Sequence, residues 1–163
     1  MEDKIIENGF LQIQDGKIAK IGDCPAEGSG EEQVIDIAGR SIYPGFIDAH
    51  THLGMWEDGL TFEGDDGNED TDPVTPQLRA IDAVNPMDRC FTEAFQAGVT
   101  TAVTGPGSAN AIGGQLAAIK TYGKRIDSMI VRAPLAIKMA LGENPKTVYH
   151  GKGQAPSTRM ATA

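Results

Sequence analysis

The sequence is poor in cysteine, in positive charge and in long apolar runs, and each shortage excludes a class of protein. Two cysteines, Cys24 and Cys90, are too few and too far apart for a disulfide framework or a cysteine-based metal site. Fourteen Lys and Arg against 23 Asp and Glu give a net charge of −9, which argues against nucleic acid or an anionic membrane as a partner. No apolar run approaches the roughly 20 residues of a membrane span, and the first residues lack a signal-peptide pattern. We therefore expect a cytoplasmic protein with free thiols.

The first 43 residues predict short β-strands and one loop. The strands are expected at residues 9–14, 17–21, 34–37 and 41–43. The first two flank Asp15-Gly16, a dipeptide that tight hairpin turns favour because both positions tolerate positive φ. The polar, glycine-rich segment 22–32 predicts a loop. Such short strands cannot form a stable sheet alone, so they need a partner layer.

From Pro44 the pattern becomes that of an α/β domain. Residues 46–52 and the β-branched run 99–104 predict strands. Between them a helix is predicted from an N-cap at Asn85 to a left-handed stop at Gly98. This order of elements begins a βαβ series and predicts a parallel sheet. Farther along, strands are predicted at 129–131 and 135–141, a helix start at Ser157, and either helix or strand at 116–122.

The strongest chemical signal is the group of Asp48, His50 and His52 on the predicted strand 46–52. Side chains alternate along a strand, so all three project to one face. Two imidazoles roughly 6.8 Å apart along that face can converge on one divalent ion. Asp48 could orient a ligand by a hydrogen bond. His150 stands alone in a polar stretch and is expected at the surface.

The run PGFIDAHTHLG, residues 44–54, resembles the first barrel strand of the amidohydrolase superfamily, which includes imidazolonepropionases and dihydroorotases. Residues 6–22 and 34–50 resemble the small β-sandwich of those enzymes, and residues 96–101 resemble their second barrel strand. The resemblance implies an α/β fold, with β-sandwich strands in residues 1–43 and a (β/α)₈ TIM-type barrel from residue 44. A whole barrel takes about 250 residues. We therefore expect residues 44–163 to form an incomplete, truncated barrel.

The resemblance also implies a metal-dependent hydrolase of non-peptide carbon–nitrogen bonds, in small-molecule amides, cyclic amides or amidines. Its cofactor would be one or two divalent ions, zinc first, with iron or manganese as alternatives, held by His50 and His52. In the family a carboxylated lysine or a glutamate supplies a third ligand, and Lys138 and Glu143 both stand where it is expected. The later histidines and the aspartate base of the family have no counterpart. No catalytic residue is therefore assigned, and the chain is expected to be inactive alone.

Two other interpretations stay open. The spacing of His50, His52 and Glu57 resembles the first motif of cupins, which are small metal-binding β-barrels and would make the chain nearly all β. Alternatively, an incomplete barrel exposes unpaired strand edges, which predicts a non-catalytic fragment that associates with itself. The acidic segment 57–72 is either a solvated loop or a loop that admits a cationic substrate or a further metal ion.

Overall fold

The computed structural model describes residues 5–23, 30 and 33–163, and the chain divides into two compact units, Met1–Tyr43 and Pro44–Ala163. In the first unit, β1 (Phe10–Gln14) and β2 (Lys17–Gly22) form an antiparallel hairpin. Its turn holds Asp15 and Gly16 at φ of 53° and 71°, the left-handed conformation that these two residue types tolerate. The predicted hairpin is confirmed.

The two further strands predicted in this unit are not formed. Residues 34–37 and 41–43 are extended or irregular and pair with no strand of the described residues. A turn organises the segment instead: Ala38 N donates to Asp36 Oδ1 over 2.8 Å, and Arg40 N donates to Ile37 O over 3.1 Å. Alternating apolar residues predict a strand only where a neighbouring strand is available to pair with it. The loop predicted at 22–32 lies mostly outside the described residues.

The second unit is built on a four-stranded sheet in the order β3-β4-β5-β6. These strands are β3 (Phe46–Thr51), β4 (Val99–Thr104), β5 (Ile112–Lys120) and β6 (Ile130–Met139). The first two are parallel, and the chain between them forms α1 (Ala80–Ala83) and α2 (Arg89–Gln96), so the predicted βαβ unit is confirmed. However, β5 runs antiparallel to both of its neighbours. The fold is therefore mixed α/β with a mixed sheet, where the sequence predicted a parallel one.

The N-terminus of α2 differs from the prediction by three residues. Asp88 is the N-cap, and its Oδ1 accepts a hydrogen bond of 3.2 Å from Cys90 N. Asn85 instead closes the turn before it, because its side-chain oxygen accepts from Met87 N over 3.0 Å. Both residue types can cap a helix, and the local pattern alone did not separate the turn from the cap. Gly98 takes the predicted left-handed conformation, with φ of 88°.

The C-terminal third contains α3 (Ile126–Met129), α4 (Glu143–Gly151) and α5 (Arg159–Thr162). The segment 116–122, for which the sequence left helix and strand open, lies mainly in β5. The strands predicted at 129–131 and 135–141 are parts of one strand, β6. The last helix begins one residue later than predicted, because Thr158 rather than Ser157 accepts the capping hydrogen bond, from Ala161 N.

In the core of the second unit α1 and α3 pack against β5, and α2 packs against β4. The buried members of this core are Met55, Ala80, Val84, Phe91, Ala117, Ile119 and Met129. Ala117 and Ile119 alternate along β5 with more exposed residues, as expected for a strand with one covered face. These helices and the parallel strand pair do not fit the cupin alternative. No helix in the described ranges is long and apolar enough to cross a membrane.

Candidate metal site

The two predicted histidine ligands lie at the C-terminal end of β3. His50 is in the strand and His52 follows its last residue. Their ring centroids are 5.5 Å apart with an angle of 74° between the ring planes. The side chains therefore project to the same face, as alternate residues of a strand do. The carboxyl end of a parallel strand is also where α/β folds commonly place ligands and catalytic groups.

His52 is held in one orientation by its neighbour across the sheet. Its Nδ1 lies 2.7 Å from Gly105 O, and Gly105 directly follows β4. A carbonyl oxygen only accepts hydrogen bonds, so Nδ1 carries the proton and Nε2 keeps its lone pair. Histidines that bind metals usually have this arrangement, because the hydrogen bond fixes both the tautomer and the ring direction.

His50 makes a different contact. It is exposed, and its Nε2 lies 3.4 Å from Nζ of the partly buried Lys138 on β6. Two strands separate β3 from β6, which corresponds to about 14 Å in a flat sheet. The contact therefore indicates that the sheet curves toward the face that carries these side chains. Three of the predicted site residues, His50, His52 and Lys138, are thus brought together.

The other two predicted site residues do not join them. Asp48 Oδ1 accepts a hydrogen bond of 3.1 Å from His50 N, so this carboxylate supports the strand backbone. Glu143 is exposed in the first turn of α4. Within the described part of the chain, no three His, Cys, Asp or Glu side chains are grouped closely enough to hold a metal ion. The metal-ligand role of Glu143 and the supporting role of Asp48 toward a ligand stay predictions.

The donors present fit a divalent ion in part. Two imidazoles suit zinc, iron or manganese. Lys138 as an ammonium group has no lone pair, so it becomes a ligand only when deprotonated or carboxylated. Cys90 would be a poor metal ligand in place of Lys138. Burial and the nearby Asp88 carboxylate raise the pKa of its thiol to about 11, which keeps it protonated at neutral pH.

Sequence reasoning missed Trp56, which contacts the site directly. The indole meets the His52 ring edge to face, with centroids 5.0 Å apart and an interplanar angle of 87°. Trp56 is 39% exposed as a residue, so its contacts with the site cover it only in part. A single tryptophan four residues after a histidine has no helical or strand pattern that would link the two. The link arises from the turn that follows β3.

The acidic connection after β3, residues 57–72, is held in place by hydrogen bonds and an ion pair. Asn110 is buried, and its Nδ2 donates to Glu69 O over 2.5 Å and to Asp72 O over 2.7 Å. Lys152, the C-cap residue of α4, pairs with Asp70 Oδ1 over 2.7 Å and donates to Asp70 O over 2.7 Å. This connection is therefore held at both its backbone and its side chains, rather than being only a solvated loop.

A cavity of about 280 Å³ opens among the residues that follow β3 and β4. Its walls include Met55, Leu78 and Pro106, together with the carboxylates of Asp66 and Glu69. Arg79 and Asp82, also on its wall, form a bidentate pair of 2.8 and 2.7 Å. The hydrogen bond raises the pKa of Arg79 and lowers the pKa of Asp82. The size and mixed lining suit a small molecule.

Comparison with known proteins identifies the chain's relatives. An amidohydrolase from Thermotoga maritima MSB8 has a solved structure that superposes with a TM-score of 0.86 and 43% sequence identity over 93% of this chain. The chain is homologous to amidohydrolases. The resemblance predicted from residues 44–54 is confirmed. The amidohydrolase tasK of Hapsidospora irregularis is 35% identical over 97% of this chain, and the imidazolonepropionase of Caldanaerobacter subterraneus subsp. tengcongensis is 48% identical over 29% of it.

This amidohydrolase homologue spans only part of its relatives. It covers 39% of the Thermotoga structure, 17% of tasK and 11% of the imidazolonepropionase. No family model matches the chain. The matches to the Thermotoga structure and to tasK cover nearly the whole chain, β3 and β4 included, so they support the fold around the candidate site more directly than any particular reaction.

Proposed function

We propose that this chain is part of a metal-dependent hydrolase that cleaves non-peptide carbon–nitrogen bonds in small molecules. The observation that carries the proposal is the His52–Gly105 hydrogen bond beside the His50–Lys138 contact at the end of β3. Homologues named amidohydrolase and imidazolonepropionase support the same reaction class. The substrate class is an amide, a cyclic amide or an amidine.

His50 and His52 would hold a divalent ion, zinc first, and Lys138 would serve as the third ligand once carboxylated. A bound zinc ion polarises a carbonyl and lowers the pKa of water from 15.7 to about 7, which supplies hydroxide at neutral pH. The contact between Lys138 Nζ and His50 Nε2 supports this assignment over Glu143, because it shows the lysine within reach of a histidine ligand.

The chain's own residues contribute orientation. Gly105 O holds the proton of His52 on Nδ1, so Nε2 is available as a donor without any rearrangement. Asp48 fixes the backbone of His50 through its N–H. The cavity near Met55 and Pro106 would hold the substrate, and its carboxylates would favour a substrate that carries positive charge.

We also propose that the parallel pair β3 and β4 begins a (β/α)₈ barrel, into which the antiparallel β5 is inserted, and that the remaining metal ligands and the general base lie outside this chain. The shares of the relatives' lengths support this. Self-association is a related expectation. It is supported by the exposed apolar residues on the edge strands, which are Phe46, Ile47, Leu135, Ile137 and Met139. A cytoplasmic location stays a prediction.

Elemental analysis tests the metal assignment. The chain is purified without chelator, and zinc, iron and manganese are measured per chain in the parent and in His50→Ala/His52→Ala. His150→Ala is the matched control, because His150 is exposed on the last turn of α4. We expect near-stoichiometric metal in the parent and in the control and its loss in the double variant. Equal metal content in all three proteins, or none in the parent, would contradict the proposal.

A further inference from the structure

We infer that Trp56 is a positioning residue for His52 and that it acts together with Gly67. Its indole is placed against one side of the imidazole, while the backbone of the turn after β4 holds Nδ1. The inference rests on the metal site proposed above, in which His52 Nε2 is a ligand. On this inference, the connection after β3 contributes to metal binding by orienting His52 and supplies no ligand of its own.

The backbone around Trp56 is fixed by a short ladder. Trp56 forms an isolated antiparallel bridge with Asp65. On either side of it, Glu57 N donates to Gly64 O over 2.9 Å, and Asp66 N donates to Met55 O over 3.0 Å. The indole therefore projects from a hydrogen-bonded segment, and its direction is set by that segment rather than by the His52 ring.

The backbone of Gly67 packs directly against the indole of Trp56. Gly67 is buried, and a Cβ added there would overlap the six-membered ring of Trp56, namely its Cζ2, Cε2 and Cη2 atoms. Only glycine allows the ring to lie this close to the backbone. Edge-to-face contact with His52 on one side and close backbone contact on the other leave the indole little freedom to tilt.

Hydrogen bonds connect the backbone beneath Trp56 to the turn that holds His52. Gly67 O accepts a hydrogen bond of 2.8 Å from Gly107 N, which links the backbone in contact with the Trp56 ring to the turn 105–107. Gly105 O of that turn accepts from His52 Nδ1. The indole and the carbonyl thus act on the imidazole from two directions. Removing the indole should let the ring rotate about its Cβ–Cγ bond, which would move Nδ1 away from Gly105 O and free the proton to occupy either nitrogen.

The first experiment measures the His52 tautomer in the metal-free chain. The ¹⁵N shifts of the ring nitrogens are recorded at a pH where the imidazole is neutral, in the parent and in Trp56→Ala, Trp56→Leu and Trp56→Phe. We expect one tautomer with the proton on Nδ1 in the parent and in Trp56→Phe, and a mixture in Trp56→Ala and Trp56→Leu. An unchanged tautomer in folded Trp56→Ala and Trp56→Leu would overturn the inference.

The second experiment measures Co²⁺ affinity by calorimetry in the 163-residue chain. Loss of a group that orients a ligand typically weakens metal binding by about 10- to 100-fold, so we expect at least tenfold weaker binding in Trp56→Leu and less than about threefold in Trp56→Phe. Gly67→Ala, which keeps Trp56 but displaces it, should also weaken binding. Gly142→Ala is its matched control, because no atom lies within 4 Å of a Cβ added there.

The two experiments separate the two proposals. Trp56 is the single tryptophan, so quenching of its fluorescence by Co²⁺ in the parent reports binding beside His52. If the parent binds no Co²⁺ but the tautomer changes in Trp56→Leu, the metal proposal fails and the positioning role holds. If the parent binds Co²⁺ and both folded Trp56 variants match it in tautomer and affinity, the positioning role fails alone.

Discussion

The His52 side of the candidate site and its Lys138 side differ in how firmly their neighbours hold them. The His52 side consists of His52, Trp56, Gly67 and the turn 105–107, and it is joined by hydrogen bonds and ring contacts. The Lys138 side consists of His50 and Lys138, and within the described part of the chain their side chains make one polar contact, the 3.4 Å approach of Lys138 Nζ to His50 Nε2. Lys138 also lies on an edge strand whose residues are mostly exposed.

The comparison indicates that folding alone orders the His52 side, whereas the Lys138 side becomes ordered only when a ligand binds. On the His52 side the donor atom is oriented before any metal binds, so little conformational entropy remains to be lost. On the Lys138 side two flexible or exposed groups meet, and a bound ion or a carboxyl group would hold them in place. Changes on the first side should therefore affect both stability and metal binding, and changes on the second should affect metal binding with little change in stability.

The largest effect is expected at Asn110, which fastens the connection behind the His52 side. In Asn110→Ala two backbone carbonyls, those of Glu69 and Asp72, lose a buried donor, which costs about 1–3 kcal/mol each. Asn110 Oδ1 has no hydrogen-bond partner among the described residues, so its removal offsets a part of this loss. We expect the free energy of unfolding in urea to fall by about 3 kcal/mol.

Two further variants sharpen this prediction. Asn110→Asp should destabilise more than Asn110→Ala, because a carboxylate has no donor for the two carbonyls and repels them. Asn144→Ala, at an exposed position of α4, is the control and should change stability by less than about 0.5 kcal/mol. A change for Asn110→Ala as small as that of the control would mean that the connection is not held in this way.

Sequence reasoning located the strand with the histidine pair because the strand alternation and the spacing of the two histidines are both local patterns. Alternation and β-branched residues identified β3 and β4, and the dipeptide Asp15-Gly16 identified the hairpin. The same rules were wrong at residues 34–37 and 41–43, where a strand pattern has no partner strand among the described residues. They also placed the α2 cap at Asn85 instead of Asp88, since both side chains accept hydrogen bonds from nearby N–H groups.

The missed residues act through contacts between distant parts of the chain. Asn110 binds carbonyls about 40 positions earlier, and Gly67 matters because Trp56 lies on it. Neither has a period or a motif that a local pattern could reveal. The antiparallel insertion of β5 has the same origin, because periodicity predicts a strand but not the direction in which it pairs.

The next largest effect is expected on the Lys138 side. Lys138→Met keeps the length of the side chain but removes the amine, so we expect Zn²⁺ affinity to fall at least tenfold. The free energy of unfolding should change by less than about 0.5 kcal/mol, since among the described residues only His50 forms a polar contact with this nitrogen. Lys124→Met, at an exposed position, is the control. Unchanged affinity in Lys138→Met would leave the lysine as a surface residue.

The smallest effect concerns Tyr149, which packs beneath the acidic connection. Burial and the carboxylates of Asp70, Asp72 and Glu69 raise its pKa to about 12 from an ordinary value of 10.0. The folded state therefore favours the neutral phenol, and this contribution to stability is complete below about pH 10 and lost as the pH rises toward 12. Between pH 9 and pH 11 the urea midpoint of Tyr149→Phe should fall less than that of the parent.

Tyr122→Phe serves as the control for this pH dependence, because Tyr122 is 76% exposed as a residue. Its urea midpoint should follow the parent at both pH values. An equal fall in the parent and in Tyr149→Phe would show that the buried phenol makes no contribution to the loss of stability at high pH.

The most direct test of the account is the coordination of zinc in the chain, measured by X-ray absorption at the zinc edge. We predict two imidazole ligands with Zn–N distances of about 2.0–2.1 Å, and the loss of one imidazole in His52→Ala. The remaining ligands should be oxygen or nitrogen. Zinc bound through sulfur, or an imidazole count that His52→Ala leaves unchanged, would contradict the claim that the end of β3 is a metal site.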